Sequence, residues 1–506
     1  MDSIYWKQLG KSFTFVSEIK NLKETRRMKK FFNNFLRHAL IIFLIMIIVG
    51  NIGRIYYPFN FAKFKYLTFV VILLLILFIY LYKRYKKGNL IFWRKLLEGI
   101  NLPRVIIIAF ILRILWIILI PTIPQSDFAL MYEYAEIASQ GIYHGFKGTS
   151  YFARFAHDII TVLYFSLFYR FTSNPLWWIK FFNVIFSTVS VYLIYLLIKE
   201  LYNEKTACIG ALLLALYPPY IMYTSETMSE NMAIPFYILS IYIFIKSLKL
   251  EKNHWLLLLC GACLSIGNMF RMVGIVVLVA YGMYSFIYKG FIKGIKNISL
   301  ILIAFIIPIY VASSWLMQGD VIENHLWQSK ESYMTSILKG TNIKYYGMWN
   351  PEDAQLPIDY NYDSEKIEAA SKAIIKERFK NTPPLEIGKF YITKLMLQWI
   401  TGDFFSVLWT VENASPTVIT NFLTANISLL QLACSIYFIM VLILSLKEIR
   451  LNDFPEEINF FYILLGGFII LYLITEVQGR YSFIIGWIFI IFAVQALRRN
   501  SPWLHS

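Results

Sequence analysis

The stretch VIIIAFILRILWIILIPTIPQSDFALMY, residues 105–132, is an apolar run from Val105 to Ile123 that ends in a short polar break and then a carboxylate, Asp127. At about 1.5 Å per residue a helix of that length matches the ~30 Å hydrocarbon core of a bilayer. The stretch therefore predicts a membrane helix followed at once by an acid at the membrane edge. A charge there costs several kcal/mol unless water, a partner or a substrate compensates it, so Asp127 is a functional candidate from the outset.

The rest of the chain has the same character. Of 506 residues, 58% are hydrophobic and 18% aromatic, and the mean hydropathy is +0.57, far above the composition of a soluble domain. The polar, basic first thirty residues contain no short apolar core with a cleavage site, so no removable signal peptide is expected and the first span is the insertion signal. Cys208, Cys260, Cys263 and Cys434 lie in or beside apolar segments, scattered, and suit packing better than a disulfide framework or zinc. The net charge of +17 sits mostly in loops flanking apolar runs, where anionic headgroups and topology account for it and nucleic acid is not needed.

Apolar runs of about 17 residues, with some shorter ones admitted, predict spans at Ala39–Tyr56, Tyr66–Tyr82, Val105–Ile123, Phe181–Ile198, Ala207–Tyr223, Met232–Ile245, Trp255–Phe270, Val273–Tyr288, Ile298–Met317, Ala425–Leu446, Phe460–Ile474 and Phe483–Leu497. His157–Phe171 is apolar but short and suits an interfacial helix. Charge decides its placement. If it does not cross, the basic loops Lys83–Arg104, Lys199–Lys205, Lys246–Lys252, Lys289–Lys296, Lys447–Arg450 and Arg498–Arg499 share one side, as the positive-inside rule requires. The Asp127 loop, Ser225–Glu230, Arg271, Gln318–Thr420 and Glu476–Arg480 then share the other.

The expected fold is an all-α polytopic membrane protein. Its parts are a basic N-terminus with two extra spans over 1–104, a transmembrane core over 105–317 with an outer loop at 124–175, an extracytoplasmic domain over 318–420, and C-terminal spans over 421–506. The long polar stretch is too long for a structureless connection. Asp363 or Ser364 can cap a helix running to about Lys380, stopped by Pro383-Pro384. Tyr391–Ile400 carries an apolar stripe at helical spacing, suited to the lid of the bundle or the bilayer surface.

No P-loop, GxGxxG turn, HExxH or GxSxG motif is present, and the six histidines are scattered. What remains is carboxylates and arginines at span ends. Ser126-Asp127 followed by Tyr132, Ala135 and Gly141-Ile142-Tyr143 resembles the first outer loop of GT-C membrane glycosyltransferases of the dolichyl-phosphate-mannose protein mannosyltransferase and aminoarabinose transferase type. Leu216-Tyr217-Pro218 leading through Tyr223-Thr224-Ser225 to Glu230 is similar to the family's next outer loop. Gly267-Asn268-Met269-Phe270-Arg271 resembles its Gly-to-Arg segment, with Met272 in place of the usual Pro. Gly340-Thr341-Asn342 with Gly347-Met348-Trp349-Asn350 resembles the outer domain of bacterial members, and Glu476-Val477-Gln478-Gly479-Arg480-Tyr481 the terminal Arg-Tyr element. The resemblance covers Val105 to the C-terminus.

The resemblance implies a GT-C-type bundle of about twelve spans with interfacial helices in its first outer loop. It also implies sugar transfer, with inversion, from a polyprenyl-phosphate donor on the outer face. The chemistry suits the residue types. An acceptor hydroxyl needs a base to take its proton, and a phosphate leaving group needs Arg or Lys to stabilise its charge. Asp127 is accordingly expected as general base, and Glu230 as a second acid holding the acceptor or a cation, with Glu226 competing for that task. Arg271 and Arg480 are expected to contact phosphate or sugar, as are Arg154, Lys147 and Lys180 near the headgroup plane. Glu476 and Tyr481 are supporting residues. Against each stands a plainer role: a helix cap for the acids, interfacial snorkelling or ion pairing for the cations. His144, Trp177, Trp178 and Tyr143 are weaker candidates on the same grounds, as are Trp327, Tyr345, Tyr346 and Trp349.

Many relatives carry a second acid right after the first, where this chain has Phe128. A divalent cation on Asp127 and Glu230 stays open, although hard cations usually take more oxygen ligands. Expected partners are the lipid-linked sugar, membrane lipids, and a polymer, protein or lipid acceptor. The expected setting is a bacterial plasma membrane with both termini cytoplasmic. A lipid-linked sugar transporter or flippase, or an oligosaccharide polymerase or ligase, is the alternative class. The paired broken helices and internal repeats common in transporters are not evident in the sequence.

Overall fold

The computed structural model describes residues 29–53, 99–250, 253–449 and 455–499. Helices of ten or more residues are numbered in chain order. They are α1 (Lys29–Gly53), α2 (Leu102–Leu119), α3 (Asp127–Ser139), α4 (Ile159–Phe171), α5 (Pro175–Leu201), α6 (Glu204–Ala215), α7 (Glu230–Lys249), α8 (Trp255–Phe270), α9 (Gly274–Tyr284), α10 (Phe291–Gln318), α11 (Ser364–Asn381), α12 (Pro384–Trp399), α13 (Ile427–Ile449), α14 (Ile458–Ile474) and α15 (Ile488–Arg499). Among the described residues there is no strand, and the isolated bridges pair Thr122 with Ala414 and Met348 with Val477.

Among the described residues six helices are long and apolar enough to cross a bilayer: α1, α2, α5, α7, α10 and α13. The expected span Tyr66–Tyr82 lies outside the described residues. Every other expected span coincides with one of these helices, with a shorter apolar helix, or with one of two sharply bent helix pairs. Only 22% of the apolar window of α2 is buried, and the same share holds for α10. Ile107, Ile111, Leu115 and Ile118 of α2 and Ile303, Ile306, Ile307 and Val311 of α10 are exposed together. Water would not tolerate such faces, whereas lipid solvates them.

Helix α2 stops at Leu119, short of the expected Ile123. Pro121 has no N–H to continue the ladder and disfavours helical geometry in the residue before it. The chain is extended there instead, and Ile123 donates its N–H to the Asn413 carbonyl at 2.8 Å. Helix α4, with 13 residues, is ~20 Å long and so too short to cross. It packs along α3.

Two apolar spans are broken. Helix α6 bends by 67° into the short helices of Pro218–Ser225, and Gly479–Ile485 bends by 56° into α15. Pro218 and Pro219 cause the first break, since neither can donate into the preceding turn. Arg113, buried in α2, sends Nη1 to the Ala215 carbonyl at 3.1 Å and Nε to Ser187 Oγ at 2.7 Å, which satisfies a carbonyl that the broken end of α6 leaves without a helical partner. Tyr220 joins the two breaks. Its hydroxyl donates to the Phe483 carbonyl at 2.8 Å and accepts from the Trp487 N–H at 2.9 Å.

In the long polar stretch the expected helix is present as α11, with Asp363 accepting from the Lys366 N–H at 3.2 Å. Helix α12 begins at Pro384, earlier than Tyr391, because a proline at the first helical position loses nothing. Its inner face buries Phe390, Lys394, Gln398 and Trp399. Lys394 donates to the carbonyls of Gly340 and Leu473, so α12 is tied to the end of α14.

Candidate functional site

The polar groups of four elements meet at one end of the bundle. The first is the start of α3. Ser126 has a positive φ of 54°, which turns the chain sharply out of its extended run and makes Asp127 the first residue of the helix, where the helix dipole favours a carboxylate. Asp127 Oδ1 accepts from the Tyr151 hydroxyl at 3.0 Å, and Oδ2 from Arg480 Nη2 at 3.2 Å. The carboxylate remains 40% exposed while the Arg480 side chain is 8% exposed.

Arg480 lies on the short helix Gly479–Ile485 just before the second break. Its guanidinium is walled by three rings: Phe128 at 4.8 Å, Trp409 at 5.0 Å and Tyr481 at 5.6 Å. Rings hold a cation by their faces and leave its N–H groups pointing along the edge. Its Nε and Nη1 are buried with no acceptor among the described residues. Buried donors of this kind are costly and mark either strain or a ligand position.

Tyr481 is also in contact with Arg271, 5.1 Å from the ring centre. Arg271 follows the C-terminus of α8, and its Nε reaches Glu230 Oε1, at the N-terminus of α7, at 3.3 Å. Glu230 is 3% exposed, so most of its contact is with the protein. Tyr237 donates its hydroxyl to the Arg271 carbonyl, fixing the connection between α8 and α9 from which the arginine projects. Asp127, Arg480, Tyr481, Arg271 and Glu230 are therefore one continuous cluster.

Glu226 and Lys180 form a buried layer beside it. Glu226 Oε1 accepts from the Thr227 N–H at 2.8 Å and from its hydroxyl at 3.3 Å, and Oε2 has no partner. Burial pushes the carboxyl up to about 8, against a partial pull from Lys180. Lys180 spends its ammonium on the Thr122 carbonyl. The Thr227 hydroxyl has the Phe128 carbonyl as its other acceptor, also at 3.3 Å, which places this layer against α3. Glu476, close enough to feel Arg480, is also pushed up by burial, and Lys339 at 3.8 Å opposes the shift.

Arg154 and Lys147 face elsewhere. Arg154 pairs with Glu331 at 3.4 Å and lies over the Tyr362 ring at 4.8 Å, binding the first loop to the polar domain. Lys147 pairs with the exposed Asp320 at 2.6 Å. His144 packs edge-on against Tyr134, and Trp177 and Trp178 are half-exposed on the first turn of α5, in keeping with an aromatic belt.

Three residues of the cluster escaped the sequence analysis. Tyr151 and Trp409 sit in the short helices Tyr151–Arg154 and Ser406–Thr410, too short to leave a pattern in the sequence. Asp158 is buried beside His157, at 3.6 Å from its Nε2, and burial raises its carboxyl while His157 and Arg271 oppose the rise. An acid opening an apolar helix was a signal for it. Among the described residues no three His, Cys, Asp or Glu side chains converge as a metal site would, and Asp127 and Glu230 are each engaged by an arginine.

The arrangement can do two things chemically: accept a proton at a half-exposed carboxylate, and bind an anion with a guanidinium whose free donors lie beside it. Residues 157–317 match the family model for dolichyl-phosphate-mannose-protein mannosyltransferases. That segment runs from the start of α4 to the end of α10 and contains Glu230 and Arg271. No curated protein matches the chain.

Proposed function

We propose, from the premise that residues 157–317 place this chain among the GT-C-type membrane glycosyltransferases, that it moves a sugar from a polyprenyl-phosphate carrier to an acceptor hydroxyl or amine, with inversion. Asp127 is the general base. The acceptor oxygen or nitrogen attacks the anomeric carbon from the face opposite the phosphate, and its proton passes to Asp127. The anomeric C–O bond breaks, its electron pair leaves with polyprenyl phosphate, and Arg480 takes up the developing charge through Nε and Nη1.

One observation carries this reading: the buried guanidinium of Arg480 offers two unpaired donors while its Nη2 donates to Asp127 Oδ2. A single side chain thus couples the site of proton uptake to the site of charge release. Arg271, held by Glu230 and in contact with the same Tyr481 ring as Arg480, supplies the second cation for a phosphate or sugar oxygen. Glu230 acts as its positioning residue. The site lies on the outer face, with the basic loops on the cytoplasmic side.

Purified protein given a labelled polyprenyl-phosphate sugar and an acceptor should release polyprenyl phosphate. Asp127→Asn should lower turnover by roughly 10²–10⁴-fold, the usual worth of a positioned base. A folded Asp127→Asn protein that transfers at the normal rate would overturn the mechanism. Movement of intact lipid-linked sugar across vesicles, without its consumption, would instead identify a carrier.

A further inference from the structure

At the opposite end of the α7–α8 hairpin from Glu230 and Arg271 lies a cavity of about 150 Å³ whose described polar lining includes Lys289, Lys293, Lys296, His254, Asn253 and Asn297. Among the described residues that line it there is no Asp or Glu. It has more than tenfold the ~10 Å³ that one water needs, so a headgroup fits. The side chains are arranged around it by three elements: the end of α7 and turn into α8, the end of the helical stretch after α9, and the first turns of α10. Lys296 Nζ donates to His254 Nε2 at 2.8 Å, which pins one ammonium at the mouth. Lys289 lies 3.8 Å from Glu456, at the outer limit of an ion pair, and is incompletely neutralised.

The surroundings say what kind of anion this is. Trp255 (58%), Phe291 (72%) and Ile292 (84%) stand exposed beside the basic groups. A free anion would leave those side chains uncovered, whereas a phosphate that carries acyl chains covers them. The 20 residues of α7 put the cavity ~30 Å from the Asp127 cluster, one hydrocarbon thickness away. Lipid headgroups of the second leaflet lie at that depth.

We propose that this cavity is a binding site for the phosphate of an anionic glycerophospholipid in the leaflet opposite the transfer site. The lysines neutralise the phosphate, Asn297 and Asn253 hydrogen-bond its oxygens or the alcohol esterified to it, and the apolar rim receives the chains. The basic charge that topology alone requires of these loops is spread along the sequence; here it is gathered around one open cavity.

Native mass spectrometry of the full chain in micelles tests this with three separate probes: phosphatidylglycerol, phosphatidylcholine and inorganic phosphate. The wild-type protein should retain phosphatidylglycerol roughly tenfold better than phosphatidylcholine. The double variant Lys293→Gln/Lys296→Gln should reduce that preference to near one, while Lys293→Arg/Lys296→Arg keeps it. A control pair on the polar domain, Lys366→Gln/Lys372→Gln, should leave it unchanged, and thermal unfolding checks that each variant is folded. The proposal fails if wild type shows no preference between the two lipids, if the Gln pair retains the preference, or if inorganic phosphate at equal concentration displaces phosphatidylglycerol, which would make the cavity a free-anion site.

Discussion

Arg480 shows how much one side chain's surroundings add to its chemistry. A guanidinium on a membrane-edge helix ordinarily snorkels or pairs; here three rings surround it, Asp127 takes one nitrogen, and two others stay open. A lysine has a point charge and no fork, so Arg480→Lys cannot hold Asp127 and also present two coplanar donors. Turnover of labelled donor should fall by roughly 10²-fold in that variant, with Asp127→Asn not adding its full effect on top, since the two act as a unit. Full additivity in the double variant would separate the two residues. Glu226 makes a prediction of another kind. Its carboxyl, raised to about 8 by burial, would ionise near 4.5 in the unfolded chain, so the folded state binds the proton more tightly. Stability on this account is fully present below about pH 4.5 and is lost as pH rises to about 8. Thermal unfolding across that window should show the decline, and Glu226→Gln should flatten it. An unchanged slope would assign the decline to other groups, Asp158 foremost, which shifts the same way.

At the scale of elements, the two broken spans position the site. A straight helix would carry Glu226 and Arg480 on along its axis; the bends at Leu216–Pro218 and at Gly486 let short helices turn their polar ends toward α3. Breaks in a membrane are tolerated where side chains satisfy the freed backbone, and Arg113 and Tyr220 do so. Tyr220→Phe removes the acceptor of the Trp487 N–H and leaves the Phe483 carbonyl with the Gly486 N–H at 3.2 Å, and should cost about 1–3 kcal/mol, read as a lowered Tm in detergent. Little or no change would mean that water replaces the hydroxyl. A second element holds the Arg480 segment from outside. A Cβ on Gly340 would lie 2.4 Å from the Thr475 backbone carbon, and Val477 donates to the Gly347 carbonyl at 2.8 Å. Gly340→Ala must therefore displace residues 475–477, and with them Arg480. It should reduce transfer more than it reduces Tm; equal loss of both would mean general unfolding.

For the whole molecule, topology is the claim on which the rest depends. The four native cysteines are buried, so single introduced cysteines give clean accessibility readouts. In intact cells, a membrane-impermeant maleimide should label Leu385→Cys and Val418→Cys on the proposed outer face and should not reach Glu204→Cys. Labelling of position 204 from outside would invert the orientation and move the Asp127 cluster to the other compartment. Much of this level was legible in the chain. Runs of apolar residues fix which segments can be membrane helices, because hydrocarbon penalises every polar group they lack, and the placement of basic loops grouped Asp127, Glu230, Arg271, Glu476 and Arg480 on one side before any coordinates. Both are properties of segments, set by composition and order along the chain. The structure decided what depends on contact between segments distant in sequence: that Arg480 reaches Asp127 across 353 positions, that Glu230 is taken up by Arg271, that Arg154 turns to Glu331, and that Tyr151, Asp158 and Trp409 complete the cluster. Pairing of this kind follows from where helices bend and pack, and the energies that choose one partner over another, a few kcal/mol each, leave no periodic trace in the sequence.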